Sequence, residues 1–143
     1  MTIRKSEIAD IPEIYQLLKS FSIFIGTPEK VRVTAEQLVR DKDLFRCLVA
    51  EDQGKIVGYA AYYYAYFSWT GKAIYLDDLY VTDEYRKQGI GTLLFDAIAG
   101  LGRSEGCYKM QWQVSKWNDN AIGFYKRKGA GIDDAECNAF LKL

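Results

Sequence analysis

Two hydrophobic periods alternate along the chain, and the switches between them lay out its elements. Thr2 to Lys5 reads as a short strand. Ile11, Ile14, Tyr15, Leu17 and Leu18 recur at helical spacing behind Ser6 and Asp10, either of which can cap a helix ending near Phe21. Gly26 and Pro28 mark residues 22–33 as loop, and Thr34 caps a short helix from Ala35 to about Asp41. Leu44 to Glu51 is a predicted strand, Asp52-Gln53-Gly54 a hairpin turn, and Lys55 to Phe67 a long strand. Ile56, Tyr62, Tyr64 and Tyr66 fall on one face of that strand, Val57, Tyr59, Tyr63 and Phe67 on the other. Apolar residues on both faces predict a central strand covered on both sides. A turn at Trp69-Thr70-Gly71 leads to a strand from Ala73 to Val81. Ile90, Leu93, Leu94, Ala97, Ile98 and Leu101 give a helix from Gly89 to about Arg103. Tyr108 to Ser115 reads as a strand, Asn118 to Lys128 as a helix, and residues 132–143 as one or two closing strands. The order β-α-α-β-β-β-α-β-α-β(-β) is mixed α/β. No repeat, linker or low-complexity segment interrupts it, so residues 1–143 are expected to be one domain.

The junction at 79–92 carries the first chemical signal. Leu79-Tyr80-Val81 closes a strand, and Arg86-Lys87-Gln88-Gly89-Ile90-Gly91-Thr92 leads into a helix. Two glycines let the backbone approach a ligand closely, and the helix start offers unpaired N–H groups and a positive dipole end. This combination suits a pyrophosphate. It is neither of two common phosphate loops: Thr92 and Leu93 follow Gly91 where the nucleoside-triphosphate loop needs lysine, and Leu94 stands where the dinucleotide fingerprint needs a third glycine. The second signal is the stretch from Trp117 to Ala130. Asn118 or Asp119 can cap its helix and Gly129 can end it. Asn118, Ala121, Ile122 and Tyr125 share one face.

Composition narrows the chemistry further. Nineteen basic and nineteen acidic residues cancel, so no charge excess points to nucleic acid. No apolar run reaches the roughly 18 residues a membrane span needs, and the first residues lack a signal peptide's apolar core. The expectation is a cytoplasmic protein without membrane or nucleic-acid partners. There is no histidine, which excludes Ser-His-Asp and Cys-His nucleophilic sites and H-E-x-x-H metal sites. Three widely separated cysteines suggest neither a disulfide framework nor a thiolate zinc site, and no metal is expected. Acid–base work falls to Asp, Glu, Tyr, Lys or Cys.

Arg86-x-x-Gly89-x-Gly91 after a strand resembles the acyl-CoA loop of the GNAT N-acetyltransferase superfamily. Asn118-x-x-Ala121-x-x-Phe124-Tyr125-x-x-x-Gly129-Ala130 resembles that family's second CoA-facing helix, in the family's order and spacing. Cys47-Leu-Val-Ala-Glu51, Trp69-Thr-Gly-Lys72 and Tyr75-Leu-Asp-Asp-Leu-Tyr-Val81 look like the diamine (spermidine/spermine) and thialysine acetyltransferase branch. The likeness runs over roughly positions 3 to 130. It implies the GNAT fold, a mostly antiparallel mixed sheet flanked by helices, with acetyl-CoA as co-substrate and a small primary amine as acceptor. Acetylation of a protein lysine or N-terminus, or non-catalytic acyl-CoA binding, are the alternative readings.

The resemblance also assigns residues. The pantetheine arm would pair with the strand edge at Leu79, Tyr80 and Val81, a main-chain N–H near Leu79 or Val81 polarising the thioester carbonyl. Arg86, Lys87, Gln88, Gly89, Ile90, Gly91 and Thr92 would hold the pyrophosphate, and Asn118, Asn120 and Ala121 would face the cofactor. Tyr125 would be the general acid for the leaving thiolate, since a phenol keeps its proton at neutral pH. Asp77 and Asp78 alternate along a strand and are expected on opposite faces. The branch likeness selects Asp77 for the cleft, to bind the cationic amine and accept its proton, and leaves Asp78 a structural role. Gln111, Trp112 and Gln113 would contact substrate. The branch also implies a homodimer, with the aromatic strand at 59–67 or the closing strands as interface. In one respect the chain departs from polyamine acetyltransferases: after the first helix it has no acidic residue between Phe21 and Pro28. A shorter or zwitterionic amine, such as a thialysine-like amino acid, is therefore favoured over a long polycation.

Overall fold

The computed structural model describes residues 1–143 and contains two compact units, Met1–Trp112 and Gln113–Leu143. The first is built on a five-stranded sheet in sequential order: β1 (Thr2–Lys5), β2 (Arg46–Asp52), β3 (Lys55–Phe67), β4 (Gly71–Val81) and β5 (Lys109–Gln111). All neighbours are antiparallel except β4 and β5, which run parallel. That exception follows from the connection, because the helix α3 (Ile90–Ser104) crosses between β4 and β5. Helices α1 (Ile11–Phe24) and α2 (Ala35–Arg40) lie between β1 and β2 in sequence, and the second unit carries α4 (Asp119–Arg127).

The long central strand is covered on both faces, as its composition predicts. Ile14 and Leu17 of α1 pack with Cys47, Val49, Ile56, Tyr59, Ala61 and Tyr80. On the other face α3 buries Ile90, Leu94, Phe95 and Ile98. The fit under α3 is tight at two glycines. A Cβ on Gly58 would stand 2.9 Å from the Tyr80 carbonyl oxygen and 3.4 Å from Leu94, and one on Gly102 only 2.7 Å from Ile74. Ile56 shares the face of Tyr59 rather than that of Tyr62. The reason is a bulge in the β2–β3 ladder: Ala50 pairs with Gly58 but Glu51 with Ile56, which leaves Val57 as the extra residue.

Other expectations need correction. Helix α1 runs three residues past Phe21, because Phe24 finds the Tyr80 ring and the Arg86 guanidinium there, and it stops at Gly26, whose φ is +78°. Strand β5 has three residues instead of eight. It pairs only with Ala73, Ile74 and Tyr75. Residues 132–143 form no strand. Asp133, Asp134, Glu136 and Asn138 break any alternating apolar face there, and these residue types disfavour strands.

Candidate active site

The site grows from a second bulge, in β4. Ala61 pairs with Asp78 and Tyr62 with Leu76, so Asp77 is the extra residue. Counting in steps of two from Tyr75 puts Asp77 on the α1 face, and counting back from Tyr80 puts Asp78 there too. The expectation of opposite faces fails because the inserted residue cancels the alternation. The electrostatics agree with a shared face. Burial raises the hydroxyls of Tyr63 and Tyr75 above the ordinary tyrosine value; the charge of Asp77 adds to this directly at Tyr63 and, after the effect of Tyr63 itself, at Tyr75. The two rings stack at 4.8 Å. The fully buried Tyr59 donates its hydroxyl to Asp78 Oδ2 at 2.9 Å. Burial, then the neighbouring Asp77, push the Asp78 carboxyl up to about 6, against the lowering pull of the Tyr59 hydrogen bond. Desolvation also raises Asp77. Tyr59, Tyr75 and Asp78 carry no site role in the sequence reading. Only the strand register, which a one-residue bulge resets, brings them to Asp77.

Beyond the bulge, β4 loses its neighbour. β5 pairs no further than Tyr75, so from Leu76 to Val81 the β5-side edge carries no strand. The direction of that edge can be read from one bond. The Thr82 N–H donates to the Val57 carbonyl of β3 at 3.0 Å, so in the same planar peptide the Val81 carbonyl points the opposite way. Within a strand, alternate residues present N–H and C=O to the same side. Leu79 and Val81 therefore present theirs to the open edge, while Tyr80 presents its own to β3. The Tyr80 side chain is a core residue, 5.3 Å ring to ring from Phe21.

The open edge runs into the glycine loop. A single turn of 3₁₀-helix at Asp83–Tyr85 precedes Arg86. Lys87 has φ +61° and Gly89, the cap residue of α3, φ +82°. Lys87 is a non-glycine residue held in the left-handed region, a conformation that costs on the order of 1 kcal/mol or more. The first helical bond returned to the cap is Leu93 N–H to Gly89 C=O, so Ile90, Gly91 and Thr92 have no helical acceptor for their N–H groups. A Cβ on Gly91 would meet no protein atom, so the space beside it is open. Gln88 ties the loop back by donating to the Glu84 carbonyl at 3.0 Å. Arg86, partly exposed, is bonded to the Val81 carbonyl and Asp83 and lies 4.2 Å from the Phe24 ring centre. Next to the loop, an open cavity of about 430 Å³ lies between Ser20, Ile23 and Phe24 of α1 and Tyr80, Thr82, Asp83 and Glu84. The acidic residues that line this cavity, Asp83 and Glu84, come from the turn and not from the segment after α1, and Lys55 lines it as well.

On β5, Gln111 pairs in register with Tyr75 and so shares the face of Asp77. Its Oε1 is buried and accepts no hydrogen bond. Trp112 meets Phe95 edge-on at 5.3 Å and packs against α3. The remaining candidates lie in the second unit. Gln113 donates to Asn138 at 2.6 Å. The Asn118 side chain accepts from the Ala121 N–H at 3.1 Å and caps α4, whose exposed Asn120 follows. Tyr125 is buried in that helix, its ring 5.3 Å from Phe124, and burial raises its hydroxyl above the ordinary value.

A sheet whose fourth strand is opened by a bulge and followed by a glycine loop at a helix start defines an acetyl-transfer fold. Residues 11–130 match the acetyltransferase (GNAT) family, and the chain belongs to it. Among its relatives, the human spermidine/spermine N(1)-acetyltransferase-like protein 1 is 39% identical over 139 residues, covering 90% of this chain. The chain spans only 20% of that protein's length. Mouse thialysine N-epsilon-acetyltransferase is 35% identical over 140 residues, covering 90% of this chain and 82% of the relative. A solved aminoglycoside acetyltransferase from an uncultured soil metagenomic sample shares the fold, with a TM-score of 0.82, 23% identity and coverage of 99% of this chain and 95% of that one. A ribosomal-protein-alanine N-acetyltransferase from Brucella melitensis superposes with a TM-score of 0.80 at 23% identity, over 99% of this chain and all of the other. No helix is long and apolar enough to cross a membrane.

Proposed function

We propose that the protein transfers the acetyl group of acetyl-CoA directly to a primary amine of a small molecule: a diamine, a polyamine or a thialysine-like amino acid. The observation that carries this reading is the unpaired β4 edge from Leu76 to Val81, running into a loop with open N–H groups. When bound, acetyl-CoA supplies an activated acetyl thioester. The fit to this chain is good: a peptide-like arm finds the N–H and C=O of Leu79 and the N–H of Val81, and a pyrophosphate finds the loop. Leu79 or Val81 N–H polarises the thioester carbonyl. The backbone of Arg86 to Thr92, including Gln88, Gly89, Ile90 and Gly91, cradles the phosphates, with Lys87 adding charge. Asn118, Asn120 and Ala121 contribute from the start of α4.

Asp77 holds the substrate ammonium and accepts its proton, and its raised pKa suits it to that task. Gln111, with its free acceptor, is the stronger of the two glutamines as a substrate contact, because Gln113 is bonded to Asn138. Trp112 shapes that wall by its packing on Phe95. Tyr125 donates its proton to the departing thiolate. Residues 1–143 act as one acetyltransferase domain, a reading supported by the family match extending from residue 11 to residue 130. The acceptor class follows the names of the relatives, and the missing acids after α1 favour a short or zwitterionic amine over spermine. The protein works in the cytoplasm as a homodimer, with the exposed Tyr66 and Trp69 at the β3–β4 tip as the contact surface. Light scattering at micromolar concentration is expected to give twice the chain mass.

The deciding experiment is thiol release from acetyl-CoA across a panel of diamines, polyamines, thialysine and a lysine peptide. Turnover with a small amine is the expected result. Turnover only with the peptide would establish protein acetylation, and binding of acetyl-CoA without turnover would establish a non-catalytic module.

A further inference from the structure

We infer that the Arg86 guanidinium is a positioning group that holds the Val81 carbonyl so that the open edge of β4 keeps its N–H groups aimed at the thioester, and that it does not bind the phosphates. This deepens the acetyl-transfer reading of the same site and rests on it. Nε of Arg86 donates to the Val81 carbonyl at 2.9 Å. Nη1 is bridged to Asp83 at 2.8 Å. The guanidinium carbon lies 4.2 Å from the ring centre of Phe24, at the end of α1, and 5.3 Å from that of Tyr80. Nη2 is buried with no hydrogen-bond partner in the protein.

A guanidinium grips a phosphate with two adjacent N–H groups, from Nε and Nη2 or from Nη1 and Nη2. In both pairs one member is already in use here. The remaining one, Nη2, is out of reach of solvent. Phosphate binding therefore falls to the loop N–H groups, and the arginine acts on the strand instead. Its bond falls on the peptide whose N–H reaches Val57 of β3, so this peptide is fixed from both sides. With the peptide after Val81 held, the edge ahead of it keeps its line and with it the aim of the Leu79 and Val81 N–H groups. The ring of Phe24 gives the guanidinium a flat face to rest on, which couples the end of α1 to this strand.

The test compares two acetyl donors. S-acetylpantetheine has the thioester and the peptide-like arm but lacks the nucleotide and its pyrophosphate. For Arg86→Gln, kcat is expected to fall by roughly 10²-fold with both donors, the scale of a misplaced reactive geometry, while the KM for the amine stays unchanged. A loss that is seen with acetyl-CoA and vanishes with S-acetylpantetheine would overturn the inference in favour of phosphate contact. Asp83→Asn, at an exposed position, and Phe24→Leu provide the same test if Arg86→Gln does not fold. Each is expected to lower kcat by a smaller, donor-independent factor, with thermal unfolding confirming the folded state. Unchanged kcat in both would overturn the inference. Wild-type protein that turns over neither donor with any amine would overturn the acetyl-transfer reading itself, and is distinguished from the other outcomes by that.

Discussion

The Tyr59 hydroxyl reaches across the β3–β4 ladder to Asp78 at 2.9 Å, one residue from the bulge that turns Asp77 to the same face. Two carboxylates thus crowd a partly desolvated surface, and the second is stabilised by a buried phenol. This arrangement stores unfavourable energy in the folded state. Burial raises the Asp78 carboxyl from its ordinary 3.8 to about 6.

Between those two values the folded state holds a proton that the unfolded state has released. Stability must fall as pH rises through this window, by a magnitude on the order of 3 kcal/mol at most. Asp78→Asn keeps an oxygen acceptor for Tyr59 and removes the charge. Its melting temperature is expected to exceed that of the wild type at pH 8, with the difference shrinking towards pH 4. An equal or lower melting temperature at pH 8 would show that the carboxylate is not destabilising.

Asp77 and Tyr125 are assigned opposite ends of the proton traffic, and their variants separate the two. Tyr125→Phe keeps the ring and its packing and loses only the proton source. Turnover is expected to fall by about 10²–10⁴-fold with acetyl-CoA affinity nearly intact. Asp77→Asn removes the charge that holds the ammonium. It is expected to raise the amine KM and to move the rate profile to higher pH, where the free amine is abundant. Steady-state kinetics from pH 6 to pH 10, with a substrate whose chemical step limits the rate, decides both. Wild-type turnover in Tyr125→Phe would remove this tyrosine from the mechanism.

The glycine loop is tested by binding rather than rate. A Cβ on Gly91 meets nothing within 4 Å beyond its chain neighbours and its own helix backbone, so Gly91→Val is expected to be accommodated in the folded chain. The side chain fills the space offered to the ligand instead. Wild-type protein is expected to melt higher in saturating acetyl-CoA, because a ligand bound only to the native state stabilises it by mass action. The variant is expected to fold normally and to lose that shift. A normal shift would place the phosphates elsewhere.

The loop was legible because glycine spacing, the preceding strand and the following helix all lie within thirteen consecutive residues. The helices were legible for a similar local reason, as periodicity in 11–18 and 90–101 needs no partner. What escaped was set by pairing between distant strands. The bulge at Asp77 exists only relative to Ala61 and Tyr62, and it decides which face Asp78 takes. The length of β5 was misread for the same reason: the ladder ends at Tyr75 and Gln111 although the apolar alternation continues. Arg86 showed its charge in the sequence, but its partners Phe24 and Val81 depend on where α1 stops.

Gly102 offers a test of the packing that holds α3, and with it the loop, against the sheet. A Cβ there would lie 2.7 Å from Ile74 Cγ2, well inside contact distance. Alanine favours a helix over glycine by roughly 1 kcal/mol. Overpacking a rigid core costs about 1–3 kcal/mol, and Ile74 is fully buried with little room to move. Gly102→Ala is therefore expected to lower stability in spite of its helical preference. Ile74→Ala removes the clashing Cγ2 with the rest of the side chain and by itself costs about 2–5 kcal/mol. In the double variant part of that loss becomes relief, so the two substitutions together are expected to be less damaging than their sum. Denaturant unfolding of the four proteins in the cycle measures the coupling. Simple additivity would mean that α3 shifts to accommodate the methyl group, and that its seat on β4 is looser than the distances imply.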